Sequence, residues 1–175
     1  DNVETKLGGL TKMNTRKFTM TALLTALAIV IPFAVFFKVI IPPYSATLGA
    51  HVPMFFSMLL GPWAAVMVGL GSALGFFLNL GPLVGARALM HVIVGVVGAW
   101  LIRKGLSFKL VAAITAPIHG LLEVLVILPF VDFNAYNLFI ITGVGSMLHH
   151  GVDAAISYVM IKVLNKSKVL NLAKI

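Results

Sequence analysis

Apolar runs interrupted by Gly, Pro and charge divide the chain into six segments, at about 15–37, 50–61, 63–79, 83–103, 108–130 and 136–164. They are joined by KVIIPPYSATLG, GP, NLGP, RKGLSFK and VDFNAY. About 20 apolar residues cross roughly 30 Å of hydrocarbon as helix, and every segment but the second approaches or exceeds that length. The second is expected to tilt, or to stop partway where neighbouring protein shields its end. Alternating stretches of about ten residues, the mark of a spanning barrel, do not occur. The pattern therefore predicts an all-α integral membrane protein of six transmembrane helices. Pro42-Pro43 in the first connection forbids helix there and predicts an extended cover over whatever lies beneath.

Composition agrees: 60% of residues are hydrophobic and 10% charged, with a mean hydropathy of +1.06, whereas charged residues approach a quarter of a soluble domain. Cysteine is absent, which excludes disulfides and thiol chemistry. The net charge of +8 gains its meaning from position. Lys6, Lys12, Arg16, Lys17, Arg103, Lys104, Lys109, Lys162, Lys166, Lys168 and Lys174 fall at the termini or in the loop after the fourth segment, and only Lys38 falls in an opposite loop. By the positive-inside rule both termini face the cytoplasm, and the basic excess is topological rather than a nucleic-acid footprint. Trp63 and Trp100 fall at the same boundary as interfacial anchors. Residues 1–12, polar and without an initial Met, read as a leader or tag remnant, 13–168 as the transmembrane domain and 169–175 as a cytoplasmic tail. No internal repeat suggests an inverted-repeat transporter, and no P-loop motif is present, so any ATP is used by partner subunits.

Polar residues at membrane depth carry the chemistry. At 1.5 Å per residue, Arg87 lies roughly 6 Å and His91 roughly 12 Å below the outer end of the fourth segment, with Glu123 roughly 10 Å and His119 roughly 16 Å below the outer end of the fifth. His51 opens the second segment at the outer side and Asn79 closes the third there. Ionisable groups in spans are costly unless they face protein or a water-filled cavity, so four helices predict one outward-open pocket. A structural Arg87–Glu123 ion pair, with the histidines as helix–helix glue, is the alternative. Tyr44, Ser45 and Thr47 of the first connection, and Asn134, Tyr136 and Asn137 of the last, lie above the pocket. His149, His150 and Asp153 form a second group read as deeper, where i, i+4 spacing lets His149 pair with Asp153; intramembrane hydrogen bonding is expected there, and no metal or catalytic cofactor is assigned. Ala22-x-x-x-Ala26 and Gly71-x-x-x-Gly75 offer flat strips for close helix approach, the former either within the chain or against a partner.

Six spans of this size, Ala22-x-x-x-Ala26, a long outer connection before a short second helix, and the stretches KVIIPPYSATLGAHVPMFFSMLLGP, ALGFFL and RALMHV resemble the S components of energy-coupling factor (ECF) transporters, in the subgroup with niacin and cobalamin S components. The resemblance covers residues 13 to about 168. It implies a multi-pass subunit of the bacterial plasma membrane, not an enzyme, that captures a vitamin outside and rotates in the bilayer. It further implies docking through Ala22 and Ala26 on a T component that carries two ATPases, with the first outer loop as gate. The site residues expected to hold substrate are Arg87, His91, Glu123, His119, His51, Tyr44, Thr47, Asn79, Asn134 and Tyr136. Gly81, Gly85 and Ala86, smaller than the Ile and Val of niacin-like relatives, suggest a wider mouth and cobalamin or a corrinoid precursor; nicotinate, with Arg87 as its bidentate partner, is the alternative. A self-sufficient proton-coupled carrier and a purely structural membrane subunit are the other readings.

Overall fold

The computed structural model describes residues 15–166. The expected leader over 1–12, the basic residues Lys6, Lys12, Lys168 and Lys174, and the tail over 169–175 lie outside the described residues.

Among the described residues six α-helices form, as the hydrophobic pattern predicts. Helix α1 spans Thr15–Ala34, α2 Val52–Leu60, α3 Pro62–Leu80, α4 Pro82–Arg103, α5 Phe108–Ile127 and α6 Gly145–Lys166. Pro62 and Pro82 occupy first helical positions, where a missing N–H costs nothing, and Gly61 and Gly81 before them take φ of 119° and 86°, which favours glycine. By length and apolarity α1, α3, α4 and α5 can each cross a bilayer. A π-helical segment at Tyr136–Val144 leads into α6, an element the sequence pattern does not reveal.

The extended cover is a two-stranded antiparallel hairpin, β1 Lys38–Ile41 and β2 Tyr44–Thr47, with Ile41 opposite Tyr44 across the Pro42-Pro43 turn. Small residues bring the helices together. A Cβ on Gly71 would lie 2.7 Å from Thr25 Cγ2 of α1, and one on Gly69 would lie 2.7 Å from the Val92 nitrogen of α4, so the glycine strip of α3 serves close approach on two sides. Ala22 and Ala26 are exposed.

The short helix α2 stops partway, one of the two outcomes expected for it. Its nine residues span roughly 13 Å, and its C-terminal Gly61 lies beside the Arg103 guanidinium at the far end of α4. It is the beginning of α2 that falls short, so the connection after the hairpin dips into the bundle and carries His51 with it. Backbone polar groups of that dip are satisfied by protein, the condition for irregular chain at such depth. The main apolar core, including Met54, Phe55, Met58, Val94, Phe108, Val111 and Ile161, fills the Arg103 half of the bundle. Polar residues gather above it, toward the hairpin.

Candidate ligand site beneath the hairpin

Helices α4 and α5 run antiparallel, and their two i, i+4 pairs meet level for level. Arg87 faces Glu123, with Nη2–Oε2 2.6 Å and Nε–Oε2 3.1 Å, while the rings of His91 and His119 lie 5.3 Å apart. The depths read from sequence leave each pair about 4 Å out of level, and the packing of α4 on α5 brings them into register. Arg87 is 3% and Glu123 5% exposed, and a carboxylate so buried requires such partners. Ser146 of α6 also donates to Glu123 Oε2.

The remaining donors of Arg87 reach up to the hairpin: Nη1 to Ser45 Oγ at 3.2 Å and Nη2 to the Ser45 carbonyl at 3.0 Å. Its guanidinium stands 5.2 Å from the centre of the Tyr44 ring. Tyr44 is 7% exposed and donates its hydroxyl to the Gly145 carbonyl at 2.9 Å. Burial, and then the negative charge of Glu123, push its pKa up to about 12. A Cβ on Gly145 would lie 3.2 Å from the Tyr44 ring, so glycine there lets the ring lie close against the backbone. The π-helical segment thus delivers a bare backbone to the hairpin.

His149, His150 and Asp153, expected as a separate deeper group, belong to the same layer. Asp153 Oδ1 accepts the Gly49 N–H at 2.7 Å, and Oδ2 accepts the backbone N–H of His51 at 3.0 Å and its Nδ1 at 2.8 Å. His149 Nε2 stands 3.2 Å from the same oxygen and 3.0 Å from the Thr47 carbonyl. Asp153 therefore caps the N-terminus of α2 from another helix, where orphan N–H groups and the helix dipole favour a negative charge. His51, expected at the outer rim, is 1% exposed at the centre of the bundle because this carboxylate holds it there. Its ring lies 4.8 Å from His91, 4.7 Å from His119, 4.5 Å from His149 and 5.4 Å from His150. The other four histidines of the chain therefore all gather around it.

Ser72 of α3 hydrogen-bonds His91 Nδ1 at 2.9 Å, and Thr115 of α5 hydrogen-bonds His150 Nε2 at 3.1 Å. Sequence reasoning overlooked Ser72, Thr115 and Ser146; for Ser146 and His150 the i, i+4 spacing on α6 was a usable signal. A cavity of about 20 Å³ lies in this layer, bordered by Ser45, Thr47, His51, Arg87, His91 and Glu123.

Three expected site residues lie elsewhere. Asn79 donates its side-chain amide to the Pro32 carbonyl, which also accepts from Lys38 Nζ at 2.8 Å, so it satisfies an orphan carbonyl at the end of α1. Asn134 accepts the Asn137 N–H at 3.0 Å and caps the π-helical segment. Tyr136 is 62% exposed. The wider mouth expected from Gly81 and Gly85 has another explanation. Gly81 makes the turn at φ 86°, and a Cβ on Gly85 would lie 2.7 Å from Phe77 Cβ, so both serve the α3–α4 junction.

The chain is similar to the niacin transporter NiaX of Lactococcus lactis subsp. cremoris (strain MG1363), with 32% identity over 94% of this chain and 81% of that protein. No solved structure matches it significantly. The family described as ECF-type riboflavin transporter, S component, matches residues 12–166, a span that includes the hairpin, all six helices and every residue of the polar layer. The two descriptions name different vitamins, so kinship identifies the kind of protein and leaves its cargo to the site. By that match the chain belongs to the S components of ECF-type transporters, multi-pass membrane subunits of a transport system rather than enzymes.

Proposed function

We propose that this chain is the nicotinate-capturing subunit of an ECF importer, taking the vitamin from outside beneath the β1–β2 hairpin. The observation that carries the reading is Arg87. Two of its hydrogen bonds anchor it to Glu123, and the other two end on Ser45 of the hairpin. Lifting the hairpin frees a planar pair of donors that suits a carboxylate, so Ser45 holds the place the vitamin carboxylate takes. His91, His51, His149 and Thr47 line the space for the ring. The niacin named for the Lactococcus lactis relative supports the same reading.

Cobalamin, the vitamin expected from the small residues before Arg87, has lost its support. Gly81 and Gly85 are explained by packing at the α3–α4 junction.

In this reading the hairpin end faces outward and the end bearing Arg16, Lys17, Arg103, Lys104, Lys109, Lys162 and Lys166 faces the cytoplasm. Exposed Ala22 and Ala26 dock on a T component associated with two ATPases, which supply the energy. Titration of the purified chain with nicotinate and with cobalamin tests the assignment. Nicotinate is expected to bind and to raise the melting temperature; stabilisation by cobalamin alone would overturn it. Uptake by the lone chain driven by a pH gradient would favour the proton-coupled carrier instead.

A further inference from the structure

We propose that His51, His119 and His150 form a binding site for one divalent transition-metal ion of the Zn2+, Co2+ or Ni2+ class. One ligand atom from each ring lies within 4.8 Å of the other two, and all three residues are buried. Ligand nitrogens around tetrahedral Zn2+, with bonds of about 2.0–2.1 Å, stand roughly 3.3 Å apart. Side-chain shifts of about an ångström therefore close the set.

The surroundings of each ring carry the argument further. Metal-bound histidines hold the second nitrogen on a carboxylate, carbonyl or hydroxyl, which selects the tautomer and leaves the first free for the ion. His51 Nδ1 is held by Asp153 at 2.8 Å. His150 Nε2 is held by Thr115 Oγ1 at 3.1 Å, while that hydroxyl donates its own proton to the Val111 carbonyl at 2.9 Å and so accepts from the ring. His119 Nε2 stands 3.4 Å from Glu123 Oε1 without hydrogen-bond geometry. His119 Nδ1 and His150 Nδ1 have no hydrogen-bond partner among the described residues, although both residues are 0% exposed. A buried acceptor left unsatisfied is costly. A proton on either nitrogen would need an acceptor, whereas a metal ion uses the lone pairs as they stand.

Two other clusters of metal-ligand spacing overlap this one, His51 with His149 and Asp153, and His91 with His119 and Glu123. In the first, Asp153 Oδ2 already serves both histidines. In the second, Glu123 is engaged by Arg87 and Ser146, and His91 Nδ1 by Ser72. The buried ring nitrogens without a partner among the described residues, on His119 and His150, both belong to the central triad. Three imidazoles select a transition metal over Mg2+ or Ca2+, which take oxygen ligands. With neutral histidines the layer carries Arg87 (+1) against Glu123 and Asp153 (−2), a net −1; a divalent ion makes it +1, a sign that suits an anionic vitamin. The site rests on its ligands and does not require the vitamin reading.

The test titrates Co2+ into the full chain, purified with chelator and held in lipid nanodiscs. One equivalent is expected to bind, with the visible bands of a four- or five-coordinate imidazole site, and Zn2+ is expected to displace it. Thr115→Val, which keeps the shape of the side chain and touches only the outer partner of His150, is expected to weaken Co2+ about tenfold, and His119→Gln at least as much. Absence of a stoichiometric Co2+ spectrum in the unmodified chain overturns the proposal without recourse to any variant. So does full Co2+ affinity in His119→Gln with loss in His149→Gln. Nicotinate titration is read separately: a chain that takes up Co2+ and ignores nicotinate keeps this site and loses the vitamin reading.

Discussion

Arg87 cannot be removed without consequence for Glu123, which depends on it. Removing the guanidinium takes away the two hydrogen bonds to Glu123 Oε2 and leaves a carboxylate, 5% exposed, with Ser146 and a poorly aligned His119. Breaking a buried pair by deleting one partner costs about 3–5 kcal/mol, most of it the unpaired charge. At about 2–4 °C per kcal/mol for a chain of this size, Arg87→Met should melt roughly 6–20 °C below the unmodified protein. The double variant Arg87→Met/Glu123→Gln removes both charges and keeps an acceptor for Ser146. Because a neutral, well-packed replacement of a buried ion pair is often no less stable than the pair, the double variant should recover most of that loss. Neither variant should bind nicotinate. Thermal unfolding in detergent, followed by intrinsic fluorescence, measures the stability arm, and calorimetric titration with nicotinate the binding arm. A single variant that melts with the unmodified chain would refute the account of Glu123 as dependent on Arg87. A double variant that binds nicotinate with unchanged affinity would remove Arg87 from the ligand site.

Tyr44→Phe loses the hydrogen bond to the Gly145 carbonyl and should cost about 1 kcal/mol. The pH dependence follows from the raised pKa of about 12 against the ordinary 10: the protonated hydroxyl is favoured by folding, so the contribution is full below pH 10 and fades as pH rises through 12. The difference in melting temperature between the two proteins should therefore shrink over that window, and a constant difference would contradict it. Asp153→Asn weakens the cap on α2 and should lower stability by about 1.5–3 kcal/mol, with His51 no longer fixed; an unchanged melting temperature would show that α2 starts unaided. Gly71→Leu drives a side chain into Thr25 and α1, and is expected to destabilise by about 1–3 kcal/mol or more, checked by the melting temperature in detergent. Asn134→Ala and Tyr136→Ala, both outside the polar layer, should leave nicotinate affinity within about twofold by the same titration, the surface norm being within ±0.5 kcal/mol.

Local chemistry was enough to determine the class, because an apolar run long enough to cross a bilayer must satisfy its backbone internally and can do so only as helix, and the Gly and Pro between the runs marked where one helix gives way to the next. It also assigned Arg87, His91, His119 and Glu123 to one outer layer, since ionisable side chains on spans need shelter from lipid, while their level-for-level pairing was set by how α4 packs on α5. Pro42-Pro43 excluded helix from the first connection and announced an extended segment. What the tertiary structure decided is the position of everything held by contacts remote in sequence. His51 is carried to the centre by Asp153, some hundred residues away, and no periodicity encodes where a short helix begins when its N-terminus is capped by another helix. His149 and His150 joined the same layer for that reason. Asn79, Asn134 and Tyr136 looked equivalent to site residues because polarity near a helix end marks a capping role and a binding role alike. Only the neighbours distinguish them, and those neighbours are set by how the helices pack.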